Sequence, residues 1–437
     1  MTSVPPSVST SPIAAAPTRR KVVVATGVGQ VIEWFDWTLY AAFAPFFADR
    51  FFPAEGSGTG LLAAFGVYAI GFLFRPLGGV LFGYLADRFG RTLMFNITIV
   101  MMAAGSLIIA VLPTYDQIGV AAPLLLLLAR IVQGLSAGGE MPASTALITE
   151  AVPAERRAFY SSVIFVGTGI GVLLGSVLGW ALTGLLSAEA MASYGWRIAF
   201  AVGAVVGLYA LVLRRSIHVP APAPAAGQAR LDRAGVTRNF ADLFRTHPRG
   251  VLRIIGVGIG GTVGFYTLTV YMPTYLTRQT GLDAPTAFMV NCVILVVYSA
   301  LMPVAGLLAD RYGRRPVMGW SALALAVATV PAAHALSGSA VVALAALLPL
   351  IVLITGFHGP FPALMSEQFT PELRGLGVGL AYSLVTALFG GTATYLATWL
   401  AGTGRPMWYF VYVALAFLLA AVCFFAMPET AERRRRG

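Results

Sequence analysis

The chain has 437 residues, 58% of them hydrophobic and only 11% charged, with a formal net charge of +11. A soluble domain carries about 25% charged residues, so this deficit excludes an ordinary soluble enzyme and points to a polytopic membrane protein. The positive balance does not point to nucleic acid. Lys21 is the one lysine, and the arginines fall mostly in short segments between apolar runs, as the positive-inside rule requires.

Taken in order, residues 1–21 read as a cytoplasmic tail, disordered over the Ser-, Pro-, Thr- and Ala-rich stretch 1–18. The apolar run after Lys21 contains Glu33 and Asp36 and lacks a plausible cleavage site. It therefore reads as a first membrane helix and not a removed signal peptide. Apolar runs long enough to cross a bilayer lie near 22–48, 59–83, 92–112, 120–146, 158–184 and 197–213. A polar segment with Pro-Ala repeats, 214–250, separates them from runs near 251–277, 286–308, 317–337, 340–364, 373–400 and 407–427. The expectation is an all-α membrane protein of twelve transmembrane helices in two six-helix halves, 22–213 and 251–427, with a cytoplasmic linker and a basic cytoplasmic tail at 428–437. Arg50, Arg197, Arg278 and Arg405 are the basic residues this topology puts outside, and Arg75 and Arg130 fall within helices. All others lie on one side, which places both termini in the cytoplasm. Cys292 and Cys423 are far apart with no CxxC, and offer neither a disulfide nor a metal site.

The two halves echo each other. Asp87-Arg88-Phe89-Gly90-Arg91 returns as Asp310-Arg311-Tyr312-Gly313-Arg314 about half a chain later. Glu150 and Arg157 flank a proline after the fourth run, and Glu367 and Arg374 do so after the tenth. Asp87, Arg88, Arg91, Asp310, Arg311 and Arg314 read as a gate: a carboxylate in a tight turn can lock neighbouring helices by ion pairing and by contact with a helix N-terminus. The bland alternative is topogenic charge.

An ionisable side chain inside a membrane helix is costly and calls for a partner or a role. Glu33, Asp36 and Tyr40 share one helical face. Two carboxylates so placed do not both stay ionised with ease, which is what a proton-coupling site needs; pairing with an arginine is the alternative. Arg75 can bind a carboxylate bidentately, either a substrate's or that of Glu33 or Asp36. Arg130, Gln133 and Glu140 form an edge that either faces the cavity or ties helices together; Arg130 is grouped with the gate and Glu140 with proton coupling. The second half has no charge of comparable depth and carries Tyr266, Tyr271, Asn291 and His358. There is no GxxxxGK[ST] loop, no Ser/His/Asp set and no metal cluster in the sequence. The chain is expected to be no enzyme and to need no cofactor beyond the proton as coupling ion.

The paired loops from Gly83 and Gly306, and Arg130-Ile-Val-Gln-Gly134, resemble the signatures of the major facilitator superfamily. Glu33-Trp34-Phe35-Asp36, Arg75-Pro-Leu-Gly-Gly79 and Gln133-Gly-Leu-Ser-Ala-Gly-Gly-Glu140 resemble its metabolite:proton symporters. Within them, Phe265-Tyr-Thr-Leu-Thr-Val-Tyr-Met272 and Gly375-Leu-Gly-Val-Gly-Leu-Ala-Tyr382 are similar to the α-ketoglutarate carriers. The resemblance implies import of a small organic anion with protons, α-ketoglutarate or a related dicarboxylate first. Citrate, shikimate, an aromatic acid, proline and betaine are the alternatives, and a non-transporting receptor or sensor is the reading of another class. It implies Arg75 and Arg197 as contacts for substrate carboxylates, and an acidic proton site in the first helix with Asp36 ahead of Glu33. Tyr40, Gln133 and Tyr266 complete the candidate substrate contacts. Substrate would sit between halves that rock about it, in a monomer embedded in the lipid of the plasma or inner membrane. Met141-Pro142 departs from the family, where an aromatic residue usually follows Gly-Glu, and the fifth helix lacks the polar residue of the α-ketoglutarate carriers.

Overall fold

The computed structural model describes residues 19–53, 58–89, 91–217 and 242–431. They are almost wholly helical, because a backbone in lipid must satisfy its own N–H and C=O groups. The first half holds α1 (Arg19–Phe51), α2 (Thr59–Leu73 continuing as Arg75–Phe89) and α3 (Arg91–Val111). It continues with α4 (Ala121–Ala137, then Glu140–Ala151), α5 (Val163–Leu185) and α6 (Trp196–Ile217). The second half holds α7 (Pro248–Phe265, a π-helical turn Tyr266–Tyr271, then Met272–Thr280), α8 (Ala284–Tyr312) and α9 (Arg314–Ala335). It ends with α10 (Ala340–His358, then Phe361–Glu367), α11 (Arg374–Val385, a π-helical turn Thr386–Gly390, then Gly391–Gly402) and α12 (Pro406–Ala426).

Ten of these, among the described residues, are long and apolar enough to cross a membrane. The other two depart for visible reasons. α1 carries Arg19, Arg20 and Lys21 at its start and Glu33 and Asp36 in its middle, and the apolar part of α3 is only Asn96–Val111. Among the described residues five helices are interrupted: α2 at Phe74 before Pro76, α4 at Gly138-Gly139, α10 at Gly359-Pro360, and α7 and α11 at their π turns. A break at mid-membrane frees backbone groups and re-aims side chains, and π turns recur at functional sites.

Within the halves α1 packs on α5, α3 on α6, α7 on α12, and α9 on α10 and α12; the halves meet along α5–α8 and α2–α11. The glycines of α5 make the α1 contact possible: a Cβ on Gly171 would press on the backbone of Val31 and Phe35. Such small-residue seams replace the hydrophobic driving force that lipid removes.

The end of the bundle where α1 begins, called here the basic end, is closed by ions. Asp310 of α8 accepts from the backbone N–H groups of Ala158 (3.1 Å) and Phe159 (2.9 Å), which lead into α5. Arg314 pairs with Asp310 at 3.1 Å and with Glu367 at 3.2 Å. The repeated Glu/Arg pairs are exchanged between the halves: Arg157 reaches Glu367 at 3.6 Å, and Arg374 reaches Glu150 at 3.7 Å. The opposite end closes mainly with apolar groups, Phe43 of α1 against Phe288 of α8, plus a bond from Arg278 to the Pro45 carbonyl at 3.4 Å. Arg311 of the gate set is exposed and lies over the Tyr312 ring. The side chains of Asp87, Arg88 and Arg91 lie outside the described residues.

Candidate functional site

The site grows from the break in α2. Arg75 and Pro76 restart the helix after Phe74, where proline's missing N–H costs nothing because a first-turn donor has no partner anyway. α2 lies so close to α4 that a Cβ on Gly134 would strike the Gly71 carbonyl, and one on Gly138 that of Arg75. With α4 pressed against its backbone, Arg75 extends toward α1. Its Nη2 donates to Glu33 Oε1 at 2.5 Å, and both side chains are about 95% buried. Among the described residues Glu33 Oε2 and Arg75 Nε have no hydrogen-bond partner, so there the pair is only partly satisfied. A buried pair in this condition is poised for exchange: each partner has capacity left for another ligand.

Asp36, one turn on, makes a different set of contacts. Ser106 of α3 donates to Asp36 Oδ1, and Gln133 of α4 donates to Oδ2 at 2.8 Å. Arg130 donates to Gln133 Oε1 at 2.7 Å. The network joins α1, α3 and α4 inside the first half. Trp37 separates it from the Glu33–Arg75 pair: its ring has the Arg75 guanidinium at 4.4 Å and that of Arg130 at 4.3 Å. Arg130 also lies over Tyr40 (4.5 Å) and Tyr68 (5.4 Å). Desolvated cation–π contacts are worth about 2 kcal/mol each, which explains how a fully buried arginine is tolerated.

A small cleft lies between the halves. Glu33, Trp34 and Arg75 line one side with Ala137, Gly138, Met141 and Pro142 of α4; Tyr382, Ser383 and Thr386 of α11 line the other. The departure at Met141-Pro142 thus falls on the cleft wall. Tyr266 stands next to it, its ring against Trp34 and Phe72, with a buried hydroxyl that has no hydrogen-bond partner among the described residues. The cleft offers one guanidinium, one carboxyl, three hydroxyl-bearing residues and aromatic faces, a set suited to a small polar anion.

Sequence reasoning grouped these residues differently. Glu33 and Arg75 are brought together and line the cleft. Asp36, Arg130, Gln133 and Tyr40 sit behind it; the Tyr40 hydroxyl donates to the Ala64 carbonyl at 3.0 Å. Glu140 lines a second cleft and does not continue an Arg130–Gln133 edge, because the break at Gly138-Gly139 interrupts the helical phase. Arg197 lies at the start of α6, donating to the Ala110 carbonyl at 2.9 Å and stacked on Trp196, away from the cleft. Tyr382, Ser383 and Thr386 were missed: hydroxyl residues are common in membrane helices, and the π turn that begins at Thr386 leaves no periodic signal. His358, at the break in α10, has Tyr298 at one ring nitrogen (2.9 Å) and the Gly261 carbonyl at the other (3.1 Å), and stacks on Phe165 of the first half.

The whole chain compares with known carriers. The family model of the Major Facilitator Superfamily matches residues 26–302, and that of "Sugar (and other) transporter" matches residues 228–435. The chain is 37% identical over 414 residues to the alpha-ketoglutarate permease of Escherichia coli, covering 94% of both chains. It is 34% identical over 406 residues to a putative proline/betaine transporter of Staphylococcus aureus, covering 92% of this chain and 85% of that one. In fold it resembles a proton:xylose symporter bound to 6-bromo-6-deoxy-D-glucose, with a TM-score of 0.73 at 18% identity over 94% of this chain and 96% of that one. These relatives are carriers of small molecules and not enzymes, and the twelve helices, the half-chain repeat and the cleft between the halves agree with them: the chain belongs to the major facilitator superfamily and is a multi-pass membrane transporter.

Proposed function

We propose that the protein is a proton-coupled symporter that imports a small organic anion, α-ketoglutarate or a related dicarboxylate first, by alternating access. One observation carries the reading: the Arg75–Glu33 ion pair, buried and only partly satisfied, on the wall of the cleft between the halves. The 37% identity to an alpha-ketoglutarate permease supports the substrate class. Protonation of Glu33 removes its charge and frees the Arg75 fork for a substrate carboxylate; the hydroxyls of Tyr266, Tyr382, Ser383 and Thr386 are within reach of the rest of the anion. Loss of the proton restores the Arg75–Glu33 pair and displaces the substrate. Anion and proton therefore bind together or not at all, which is the requirement for symport. The basic end faces the cytoplasm, with both termini there, and the monomer sits in the plasma or inner membrane.

A zwitterion such as proline or betaine is the second reading. It is favoured by the 34% identity to a putative proline/betaine transporter and by the Trp34 ring on the cleft wall, which can face a quaternary ammonium. Uptake of labelled α-ketoglutarate into proteoliposomes under an imposed pH gradient, with betaine and proline as competitors, separates the two. Competition by betaine but not by dicarboxylates would favour the zwitterion, and accumulation indifferent to the gradient would sink proton coupling.

A further inference from the structure

The π turn of α7 is followed closely by a proline. In an α-helix each carbonyl accepts from the N–H four residues on; for Thr269 that residue is Pro273, which has none. Thr269 is fully buried, so water does not serve its carbonyl either. The carbonyl accepts instead from the side chain of Asn291 in α8, whose Nδ2 lies 3.0 Å away. The same amide nitrogen donates to Ser176 Oγ of α5 at 2.8 Å. A carbonyl only accepts, so the nitrogen edge of the amide must face Thr269 and its orientation is fixed. Asn291 and Ser176 are each 1% exposed, and neither lines the cleft.

The bond holds the turn that sets Tyr266. The π turn spans Tyr266–Tyr271, with Tyr266 at its start and Thr269 inside it, and regular α-helix resumes at Met272. Relaxing the extra residue of a π turn into the α pattern rotates one flank against the other by about 100°. On the near flank the rings of Phe265 and Tyr266 lie 4.9 and 5.9 Å from that of Trp34, which lines the cleft. Such a rotation would carry Tyr266 off Trp34 and away from the cleft. Two hydroxyls of the turn serve carbonyls within α7 itself: Thr267 Oγ1 donates to Val263 and Thr269 Oγ1 to Phe265, both at 2.7 Å. Asn291 brings its donor from another helix, and through Ser176 that donor is tied to the other half.

Resting on the reading that Tyr266 contacts the anion, we propose that Asn291 is a positioning residue for transport: its amide stands in for the N–H that Pro273 lacks and so keeps the π turn that holds Tyr266 beside the cleft. Asn291 acts from behind the cleft wall, through the backbone of α7. Its bond to Ser176 anchors the amide on the α5–α8 seam, so the placement of Tyr266 in the second half is registered against the first half. The spacing Thr269-x-x-x-Pro273 and a buried asparagine on the next helix are the two sequence features this device needs.

The test uses the full chain in proteoliposomes and reads the concentration of α-ketoglutarate that half-saturates exchange of labelled for unlabelled substrate. Asn291→Leu should raise that concentration about 3- to 10-fold, the same factor as Tyr266→Phe, as for one lost hydrogen bond. The two together should raise it no further than either alone, since both remove one contact. Adding Pro273→Ala to Asn291→Leu gives the Thr269 carbonyl a backbone donor and should recover most of the loss, which a residue that merely packs helices together would not show. An unchanged half-saturation in Asn291→Leu, additive effects in the double variant, or no recovery with Pro273→Ala would each overturn the proposal. If Asn291→Leu does not fold, Asn291→Ser, too short to reach the Thr269 carbonyl, takes its place. Hydrogen exchange of the full chain in detergent needs no turnover: the backbone amides of residues 266–276 should exchange about tenfold faster in Asn291→Leu and return with Pro273→Ala, while those of α9 stay as they are. If Tyr266→Phe leaves the half-saturation unchanged, or the unaltered protein does not exchange α-ketoglutarate, it is the reading of the cleft that fails, and hydrogen exchange alone then decides whether Asn291 holds the turn; equal exchange in both proteins ends the proposal.

Discussion

The two halves share a fold and a repeated gate but differ in what they bury. In the first, Glu33, Asp36, Arg75 and Arg130 are each 4% exposed or less, in mid-membrane. In the second, the described residues bury tyrosines, threonines, Asn291 and His358 at that depth; its buried charges, Asp310, Arg314 and Glu367, stand at the basic end. The Thr267 and Tyr409 hydroxyls bond each other at 2.7 Å, and Asn291 spans from Ser176 to the Thr269 carbonyl. A duplicated fold has thus been divided by chemistry: buried charge in one half, neutral hydrogen bonding and aromatic surface in the other. A charge in lipid needs a resident counter-ion, so four charges gathered in one half can satisfy each other without crossing the moving interface.

The sharpest way to break this contrast is Arg75→Ala. It removes the guanidinium of the cleft and should lower dicarboxylate uptake by about 10- to 100-fold, the worth of a charge-assisted hydrogen bond of about 1.5–3 kcal/mol. Arg75→Lys should recover little, because a point charge lacks the fork. Uptake preserved in Arg75→Ala would move carboxylate recognition elsewhere.

The next test divides the first half itself. Glu33→Gln should abolish gradient-driven accumulation yet leave substrate exchange, since Gln mimics the protonated state. Asp36→Asn should leave coupling in place while the melting temperature falls, because the buried Arg130–Gln133–Asp36 chain of hydrogen bonds loses the carboxylate at its end. If Asp36→Asn uncouples and Glu33→Gln does not, the assignments are interchanged.

The smallest expected effect probes the neutral half. The Tyr266 hydroxyl is buried without a hydrogen-bond partner among the described residues. Tyr266→Phe should therefore leave the melting temperature unchanged or slightly raised, yet weaken substrate binding about 3- to 10-fold, as for one hydrogen bond of about 0.5–1.5 kcal/mol. Unchanged affinity would leave Tyr266 with a packing role alone.

Much of this plan is legible from the chain. Apolar run length gives the helices, repetition gives the halves, and arginines and carboxylates inside apolar runs mark the site. Pairing is what the sequence withholds. Glu33 and Asp36 are three residues apart and read as one face, but three residues leave about 60° between them. That angle sends Glu33 to α2 and the cleft, and Asp36 to α3 and α4, with Trp37 between the two arginines. Extrapolating one helical phase from Arg130 to Glu140 fails for a related reason, because the Gly138-Gly139 break resets it. The Glu150/Arg157 and Glu367/Arg374 echo is visible as repetition, but only the fold reveals that each half's glutamate pairs with the other half's arginine.

The mid-membrane ions also have an electrical consequence. Two guanidiniums, Arg75 and Arg130, and two carboxylates, Glu33 and Asp36, sum to zero when all are ionised. Rocking of the empty carrier then moves no net charge, and membrane voltage has no hold on that step. Over a full cycle the carrier's own groups return to their starting places, so the net charge moved through the voltage, at about 2.3 kcal/mol per elementary charge per 100 mV, is that of the cargo. The current per substrate molecule becomes a direct count of the ions in each cycle. A dianion accompanied by two protons is silent, and one accompanied by three carries one positive charge inward. Current recorded from carrier-loaded membranes, divided by tracer flux, reads the stoichiometry, and a voltage-sensitive return of the empty carrier would show that one of the four groups is not ionised.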